Sequence, residues 1–235
     1  MIDNEVALMT GQGQSVKGVI FDLDETIIGT LGAYAEALNT GIRMFGLEPV
    51  TEDEAARLLD EGLKLGETLL ALFPSVFAEK TKQQACQQEV HKAYLGLEAQ
   101  KVSLKPGVQQ TLQSLKERGI KIGIVTGRLG KGERRWLELR RLGVDRFVDV
   151  MVTAADATAK PAPDGLVKCI AELGLSAEEC VFVGDSKLDV MAGKEAGVRT
   201  VAISSGVAGR EVLAEYEPDF ILEDMSLLLP RVVGL

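Results

Sequence analysis

Two carboxylates spaced by one residue are the first side chains in this 235-residue sequence whose types and spacing suggest chemistry. Asp22 and Asp24 follow the apolar run 19–21, and Thr26 adds a hydroxyl group two residues later. Carboxylates that lie close together repel each other, and burying them without a partner is costly. A cation, a basic side chain or a proton on one acid must therefore compensate them. Mg²⁺ suits this role best, because it takes oxygen ligands and accepts phosphate oxygens beside them.

The apolar residues before the two acids predict a buried strand, bounded by Gly18 on one side and Gly29 on the other. Asp22 and Asp24 then lie where that strand ends. Ligands in open parallel α/β sheets bind beyond the carboxyl ends of the strands, so we expect both acids to face a crevice. The alternative interpretation is a solvated acidic loop, which this octapeptide alone does not exclude.

Three further segments repeat this arrangement, because each carries polar groups at or after the end of a predicted strand. Taken singly, Thr126-Gly127 is also typical of a turn, Lys160 of a surface lysine and Gly184-Asp185 of a helix cap. Asp189 is likewise typical of a solvated acid in the first turn of a helix. Taken in order on four strand ends, they predict a phosphoryl-transfer site. The three segments are Thr126-Gly127 after strand 121–125, Lys160 after strand 147–152, and Gly184-Asp185 after strand 180–183.

The elements that must position these groups alternate between strands and helices over residues 105–222. This pattern predicts an α/β fold with a doubly wound, Rossmann-like parallel sheet. We assign residues 17–31 and 103–235 to the α/β core that carries the predicted site, and residues 1–16 to an N-terminal tail.

Residues 32–102 contain no convincing strand and carry apolar residues at helical spacing. Within them, Thr51-Glu52-Asp53-Glu54 is a capping-box pattern that opens a helical run to about Leu72. We interpret the whole block as an inserted α-helical cap domain. The alternative is that these helices simply cover the sheet.

Composition limits the classes of partner. The net charge of −9 and the pI of about 4.9 argue against binding to nucleic acid or to anionic membranes. No apolar run is long enough for a membrane span, and no signal-peptide pattern is present, so we predict a cytoplasmic location. The three cysteines lack metal-binding spacing and are interpreted as reduced. The sequence does not predict the oligomeric state.

The four motifs resemble those of the haloacid dehalogenase superfamily of phosphohydrolases, in the branch of phosphoglycolate phosphatases and β-phosphoglucomutases. The resemblance covers essentially all of the chain after residue 16. Glu25 stands where many relatives have glycine, and Gly29-Thr30 stand where Asp-Ser is frequent; both differences bear on the substrate. The motifs read Phe21-Asp22-Leu23-Asp24-Glu25-Thr26, Thr126-Gly127-Arg128, Lys160-Pro161-Ala162-Pro163-Asp164 and Gly184-Asp185-Ser186-Lys187-Leu188-Asp189.

The resemblance implies a phosphatase that hydrolyses a small-molecule phosphate monoester. Asp22 would be the nucleophile and would form an aspartyl-phosphate. Asp24 would protonate the leaving alcohol and then deprotonate water, for which we expect its pKa to be raised. Three groups would contact the phosphoryl group, and Arg128 would touch the substrate. Those three are Thr126, the Gly127 amide and Lys160.

The same resemblance implies Mg²⁺ as the cofactor. Its ligands would be Asp22, the backbone carbonyl of Asp24, and Asp185. Asp189 would orient Lys160 or a metal-bound water, and Thr26 would support the metal ligands without binding the metal itself.

Three alternatives remain open at this point. A phosphosugar mutase would return the phosphoryl group to its substrate rather than to water. A dehalogenase would need neither a metal nor a second carboxylate, so Asp24 and Asp185 count against it. A phosphate-binding protein without turnover would be expected to have lost Asp22 or Asp24.

Overall fold

The computed structural model describes residues 16–128 and 132–232, so most of the predicted N-terminal tail lies outside the described residues. Contacts within the chain divide it into two compact units. The first unit, which we call the sheet unit, runs to Ile27 and resumes at Leu104. The second, the helical unit, spans Ile28–Ser103.

The described part of the chain contains eight strands. Six of them form the sheet of the sheet unit, and the two shortest pair where the chain leaves and re-enters that unit. The strands are β1 Gly18–Phe21, β2 Ile28–Gly29, β3 Ser103–Leu104, β4 Lys121–Thr126, β5 Val150–Thr153, β6 Cys180–Gly184, β7 Arg199–Ile203 and β8 Phe220–Leu222.

Eleven α-helices complete the described residues, five of them in the helical unit. These five are α1 Leu31–Arg43, α2 Glu52–Asp60, α3 Leu65–Leu72, α4 Pro74–Phe77 and α5 Lys80–Lys101. The helices of the sheet unit are α6 Val108–Glu117, α7 Gly132–Arg141, α8 Asp164–Leu173, α9 Lys187–Glu195, α10 Arg210–Glu215 and α11 Leu228–Val232.

The sheet has the strand order β5-β4-β1-β6-β7-β8, and every neighbouring pair is parallel. Strand β1 lies between β4 and β6, with Gly18 aligned with Lys121 on one side and Cys180 on the other. The chain therefore adds β4 and β5 on one side of β1, and then β6, β7 and β8 on the other side. This doubly wound parallel sheet confirms the predicted fold class, and its switch point beside β1 is where such sheets open a crevice.

The central strands are apolar along their whole length because both faces of a parallel sheet are covered. All four residues of β1 and all five of β6 are buried. On one face, Ile20 and Phe182 pack in a cluster with apolar residues of α8 and α9. Burial of this kind fixes the strands firmly, so the polar residues that follow them are held at defined positions.

The helical unit has an apolar core of its own, with Leu38, Leu69 and Phe77 among its fully buried side chains. Helices α1 and α5 approach closely at Gly41, where a Cβ atom would lie 2.4 Å from the side chain of Val90.

Local differences from the sequence prediction have clear causes. The capping box at Thr51 and Glu54 is present, but the predicted helical run to Leu72 divides into α2 and α3. Gly62 lies between these helices at a φ of +76°, a conformation that ends a helix. Pro74 then begins α4, where the missing N–H is not needed.

Two further differences lie in the sheet unit. The strand expected at 147–152 starts later, at Val150, because a 3₁₀ turn occupies 145–147. Helix α10 was not predicted. None of the described helices has the length and hydrophobicity needed to cross a bilayer.

Candidate active site

Asp22 is the first residue after β1, and the sheet itself holds it in place. Its backbone N–H donates a hydrogen bond of 2.8 Å to the carbonyl of Val183 on β6. Its side chain is buried, as expected at the carboxyl edge of a covered sheet. Asp22 Oδ1 accepts a hydrogen bond from Lys160, whereas Oδ2 accepts none from the described residues. The carboxylate therefore has one oxygen that is held and one that is available.

Lys160 lies between two acids. Its ammonium group donates to Asp22 Oδ1 and to Asp189 Oδ1, and all three side chains are largely shielded from solvent. The lysine comes from the segment between β5 and α8, so it reaches the site from a different element than either acid. It supplies the one positive charge that directly contacts this pair of acids among the described residues.

Asp189, in the first turn of α9, is held by the backbone at the end of β6. Its Oδ2 accepts hydrogen bonds from the backbone N–H groups of Asp185 at 3.2 Å and Ser186 at 3.0 Å. Ser186 caps α9 and forms a capping box with Asp189. A Cβ atom on Gly184 would lie 2.4 Å from the Asp189 carboxyl carbon, so only glycine permits this approach.

Asp185 is buried, and two separate segments orient its carboxylate. Thr26 Oγ1 donates to Oδ1 at 2.7 Å, and the backbone N–H of Val207 donates to Oδ2 at 2.7 Å. A Cβ atom on Gly206 would lie 2.2 Å from Asp185 Oδ2, so the loop after β7 must approach as bare backbone.

Three buried carboxylates share this site, and one oxygen from each lies within 4.8 Å of the others: Asp22, Asp185 and Asp189. Burial raises the pKa of Asp22 to about 7, with further raising by the charges of Asp189 and Asp24 and lowering by Lys160. Burial, followed by the charges of Asp22 and Asp189, also raises the pKa of Asp185 well above its ordinary value. Burial lowers the pKa of Lys160, but the charges of Asp189 and Asp22 outweigh it and raise that pKa overall.

The donor set fits a divalent cation. Three acids with one lysine leave an excess of negative charge in a buried place, which a cation with oxygen ligands relieves. Asp22 and Asp185 suit direct ligation, because Asp22 has an uncommitted oxygen and each Asp185 oxygen accepts a single hydrogen bond. Asp189 already accepts hydrogen bonds on both oxygens and serves better as the residue that aligns Lys160.

Asp24 pairs with Arg128, whereas Asp22 and Asp189 pair with Lys160. Nε of Arg128 donates to Asp24 Oδ2 at 2.9 Å, and Nη2 donates to Oδ1 at 2.5 Å. Nη1 of the same guanidinium donates to the buried Glu138 at 3.2 Å, and Glu138 also binds Arg135. In this structure, therefore, Arg128 is engaged by two carboxylates, and its predicted contact with substrate stays a prediction.

Thr126 is the last residue of β4, and Gly127 follows it. Thr126 is buried, and its Oγ1 accepts a hydrogen bond of 3.2 Å from the backbone N–H of Arg128. Among the described atoms, none lies within 4 Å of the place where a Cβ atom of Gly127 would stand, so this backbone faces open space. A small cavity in the sheet unit is lined by both Thr126 and Lys160.

Sequence reasoning missed several residues that hold the site. Gly206 and Val207 lie outside the four motifs, although a glycine in the loop after a strand is a recognisable signal. Glu138 carries no signal of this kind, because it lies 10 positions from Arg128 in the chain and outside the four motifs.

Comparison with known proteins agrees with this geometry. Residues 19–203 match the family model described as haloacid dehalogenase-like hydrolase. The chain belongs to this family, and it is an enzyme of that class. The resemblance predicted from the four motifs is confirmed.

Individual relatives carry related names. The chain is 33% identical over 216 residues to pyrophosphatase PpaX of Anoxybacillus flavithermus, covering 92% of this chain and 96% of the relative. A candidate β-phosphoglucomutase from Thermotoga maritima has a solved structure with a TM-score of 0.73 and 26% identity, covering 92% and 97% of the two chains. A predicted phosphoglycolate phosphatase from Haemophilus somnus shares the fold with a TM-score of 0.79 at 23% identity, covering 92% and 97%.

Proposed function

We propose that this chain is a Mg²⁺-dependent phosphatase that hydrolyses a small-molecule phosphate monoester through an aspartyl-phosphate on Asp22. The observation that carries the proposal is the convergence of Asp22, Lys160 and Asp185 at the carboxyl edge of one sheet. A carboxylate with an available oxygen, an adjacent ammonium group and acids that suit a cation are the groups that phosphoryl transfer needs. Membership of the haloacid dehalogenase-like hydrolases supports the same reaction class.

In the first half of the reaction, an oxygen of Asp22 attacks phosphorus, and the bond from phosphorus to the ester oxygen breaks. Asp24 gives its proton to the departing alcohol oxygen, so that an alcohol leaves. Lys160 neutralises charge on Asp22 and on the phosphoryl group, while the Thr126 hydroxyl and the Gly127 N–H donate to phosphoryl oxygens.

In the second half, the carboxylate of Asp24 takes a proton from a water molecule. The water oxygen attacks the phosphorus of the aspartyl-phosphate, the bond to Asp22 breaks, and inorganic phosphate leaves. Arg128 holds Asp24 between these steps and releases it for proton transfer, which makes the pair with Glu138 a resting place for the guanidinium.

Mg²⁺, when bound, would offset the repulsion between the nucleophile and the phosphate and would stabilise charge on the equatorial oxygens. The carboxylates of Asp22 and Asp185 and the backbone carbonyl of Asp24 would hold it. Asp189 would keep Lys160 aligned, and Thr26 would fix Asp185 through the hydrogen bond to its Oδ1.

We also propose that residues 32–102, which lie within the helical unit, form a cap domain that sets substrate specificity, and that 17–31 and 103–235 form the catalytic core. The separate apolar core of the helical unit supports this, because such a unit can vary its polar residues without disturbing the sheet. Substitutions in the helical unit should change KM differently for different esters while leaving hydrolysis of a small aryl phosphate nearly constant.

Hydrolysis of inorganic pyrophosphate is a second candidate, favoured by the name of the relative that matches 92% of this chain. The same attack by Asp22 would apply, with phosphate in place of an alcohol as the leaving group. A panel of metabolite phosphates that includes pyrophosphate, assayed for phosphate release with Mg²⁺ and with EDTA, separates the two. Pyrophosphate as the best substrate by kcat/KM would decide for this second candidate.

The same panel of phosphate compounds tests the remaining candidate functions. A phosphosugar mutase, suggested by the Thermotoga maritima structure, would convert a hexose 1-phosphate to its isomer without releasing phosphate. Absence of phosphate release from every compound, with Mg²⁺ present, would contradict the proposed phosphatase. A cytoplasmic location and the absence of nucleic-acid binding remain predictions from composition.

A further inference from the structure

Glu25 holds a backbone conformation that is rare for a residue with a side chain. Its φ is +58°, in the left-handed region that glycine adopts freely and that contact between Cβ and the backbone disfavours elsewhere. Glu217 is the other described residue of this kind besides the glycines, and it is exposed in a turn. Glu25 is only 6% exposed. A buried glutamate in a position suited to glycine indicates that its side chain has a use.

The carboxylate of Glu25 pairs with Lys105. The distance from Lys105 Nζ to Glu25 Oε2 is 3.0 Å, and the two side chains are 17% and 8% exposed. Solvent screens such a pair weakly, and removing one partner leaves a charge in a place poorly reached by water. The pair is therefore a firm link between the turn after β1 and the segment that begins after β3.

Lys105 makes two further contacts in the sheet unit. Its ammonium group donates to the carbonyl of Ser205 at 2.8 Å, and its backbone N–H donates to the carbonyl of Ile27 at 3.0 Å. Ile27 and Glu25 belong to the turn after β1, and Ser205 belongs to the loop after β7. One lysine thus ties these two segments to each other.

The two segments that Lys105 joins are the two that orient Asp185. Thr26, next to Glu25, holds Oδ1, and Val207, two residues beyond Ser205, holds Oδ2. The bare backbone at Gly206 lies against the same carboxylate. A shift of either segment would therefore rotate or displace Asp185.

We propose that Glu25 and Lys105 are positioning residues that hold Asp185 in the orientation that binds the divalent cation. This inference rests on the proposed function and goes beyond it, because it assigns a role to the glutamate that stands where many relatives have glycine. The pair acts through Thr26 and through the loop after β7, not by contact with the substrate.

Four variants of the full chain test it: Lys105→Met, Lys105→Arg, Glu25→Gly and Lys17→Met. Mg²⁺ binding is measured by titration calorimetry, and kcat and KM for an aryl phosphate are measured at limiting and at saturating Mg²⁺. Lys17→Met is the matched control, because Lys17 pairs with Glu179 at 2.6 Å at the opposite edge of the sheet.

Lys105→Met and Glu25→Gly should weaken Mg²⁺ binding by about tenfold or more, the usual effect of losing a residue that orients a metal ligand. The KM for the ester should change little, and kcat should recover toward the wild-type value at saturating Mg²⁺. Lys105→Arg keeps the charge and both donors and should bind Mg²⁺ nearly as the wild type does, as should Lys17→Met.

Glu25→Gly separates positioning from stability, since glycine relieves the backbone at φ +58°. It should lose Mg²⁺ affinity without a matching loss of Tm, and it carries the test if Lys105→Met fails to fold. Wild-type Mg²⁺ affinity in a folded Glu25→Gly or Lys105→Met protein would overturn the positioning role alone. A wild-type protein that neither binds Mg²⁺ nor hydrolyses the ester would overturn the proposed function, and this inference with it.

Discussion

The ammonium group of Lys160 donates a hydrogen bond to Asp22, although the two residues are 138 positions apart in the sequence. The same group also binds Asp189, so one lysine serves two buried acids, while no lysine among the described residues pairs with Asp185. The site therefore holds more negative than positive charge, and Asp24 pairs separately with Arg128.

Asp22→Asn should lower hydrolysis of an aryl phosphate by at least about 10³-fold, because an amide cannot form the aspartyl-phosphate. The amide oxygen can still accept from Lys160, so circular dichroism should show an intact fold. Asp145→Asn is a suitable control, since Asp145 pairs with Arg140 near the surface. Turnover by Asp22→Asn at more than a few per cent of the wild-type rate would mean that another group is the nucleophile.

The metal-free protein should become less stable relative to Asp22→Asn as pH rises from about 4 to about 8. Burial raises the pKa of Asp22 to about 7 from its ordinary value of 3.8. The folded state then binds more protons than the unfolded state in this interval, so its free energy of unfolding falls with pH. Asn at position 22 removes this penalty, and its advantage at pH 8 should be about 1–4 kcal/mol.

Urea unfolding in EDTA at pH 5, 6, 7 and 8 measures this difference. The gap between the two proteins should be small at pH 5 and should widen above it. An Asp22→Asn protein that is less stable than the wild type at pH 8 would show that Asp22 is stabilising when ionised.

Added Mg²⁺ should raise the Tm more at pH 8 than at pH 5.5. Cation binding requires ionised carboxylates, and the pKa of about 7 keeps Asp22 largely protonated at the lower pH, while burial raises the pKa of Asp185 in the same direction. Asp185→Asn should remove most of the Mg²⁺-dependent shift at pH 8. Thermal unfolding at matched ionic strength, with NaCl in place of MgCl₂ as the control, checks this, and an equal shift at both pH values would count against these acids as ligands.

Arg128→Met should lower kcat by about 10- to 100-fold with little change in KM, because the guanidinium holds Asp24, the residue proposed to transfer the proton. It should also cost about 1–3 kcal/mol of stability, since Glu138 loses a charged partner. Steady-state kinetics beside Arg118→Met, an exposed arginine, makes the comparison. A raised KM at unchanged kcat would instead favour the predicted contact with substrate.

Much of the sheet could be predicted because its strands are buried on both faces. The strands predicted at 121–125 and 180–183 are each found one residue longer, as β4 and β6, since short apolar runs between turns leave few alternatives. The division of the run 51–72 into two helices was missed, because the helical periodicity continues on both sides of Gly62 and only the backbone conformation there ends α2.

The residues of the site were likewise predictable only in part. The residues that follow strands, such as Asp22, Thr126 and Asp185, could be placed at one edge because parallel strands bring their carboxyl ends together. The second partner of Arg128 and the backbone partner of Asp185 could not, since the contacts with Glu138 and with the loop at 205–207 depend on how distant segments pack.

By itself, the sequence determined the parallel sheet, the order of the chemical groups along it and the family, because burial and turn residues leave local patterns that can be read directly. The tertiary structure decided which charges meet: Lys160 with Asp22 and Asp189, Arg128 with Asp24, and Lys105 with Glu25. These pairs join residues that are far apart in the chain. Ion pairs depend on distance and burial in space, and neither quantity is encoded in any periodicity of the sequence.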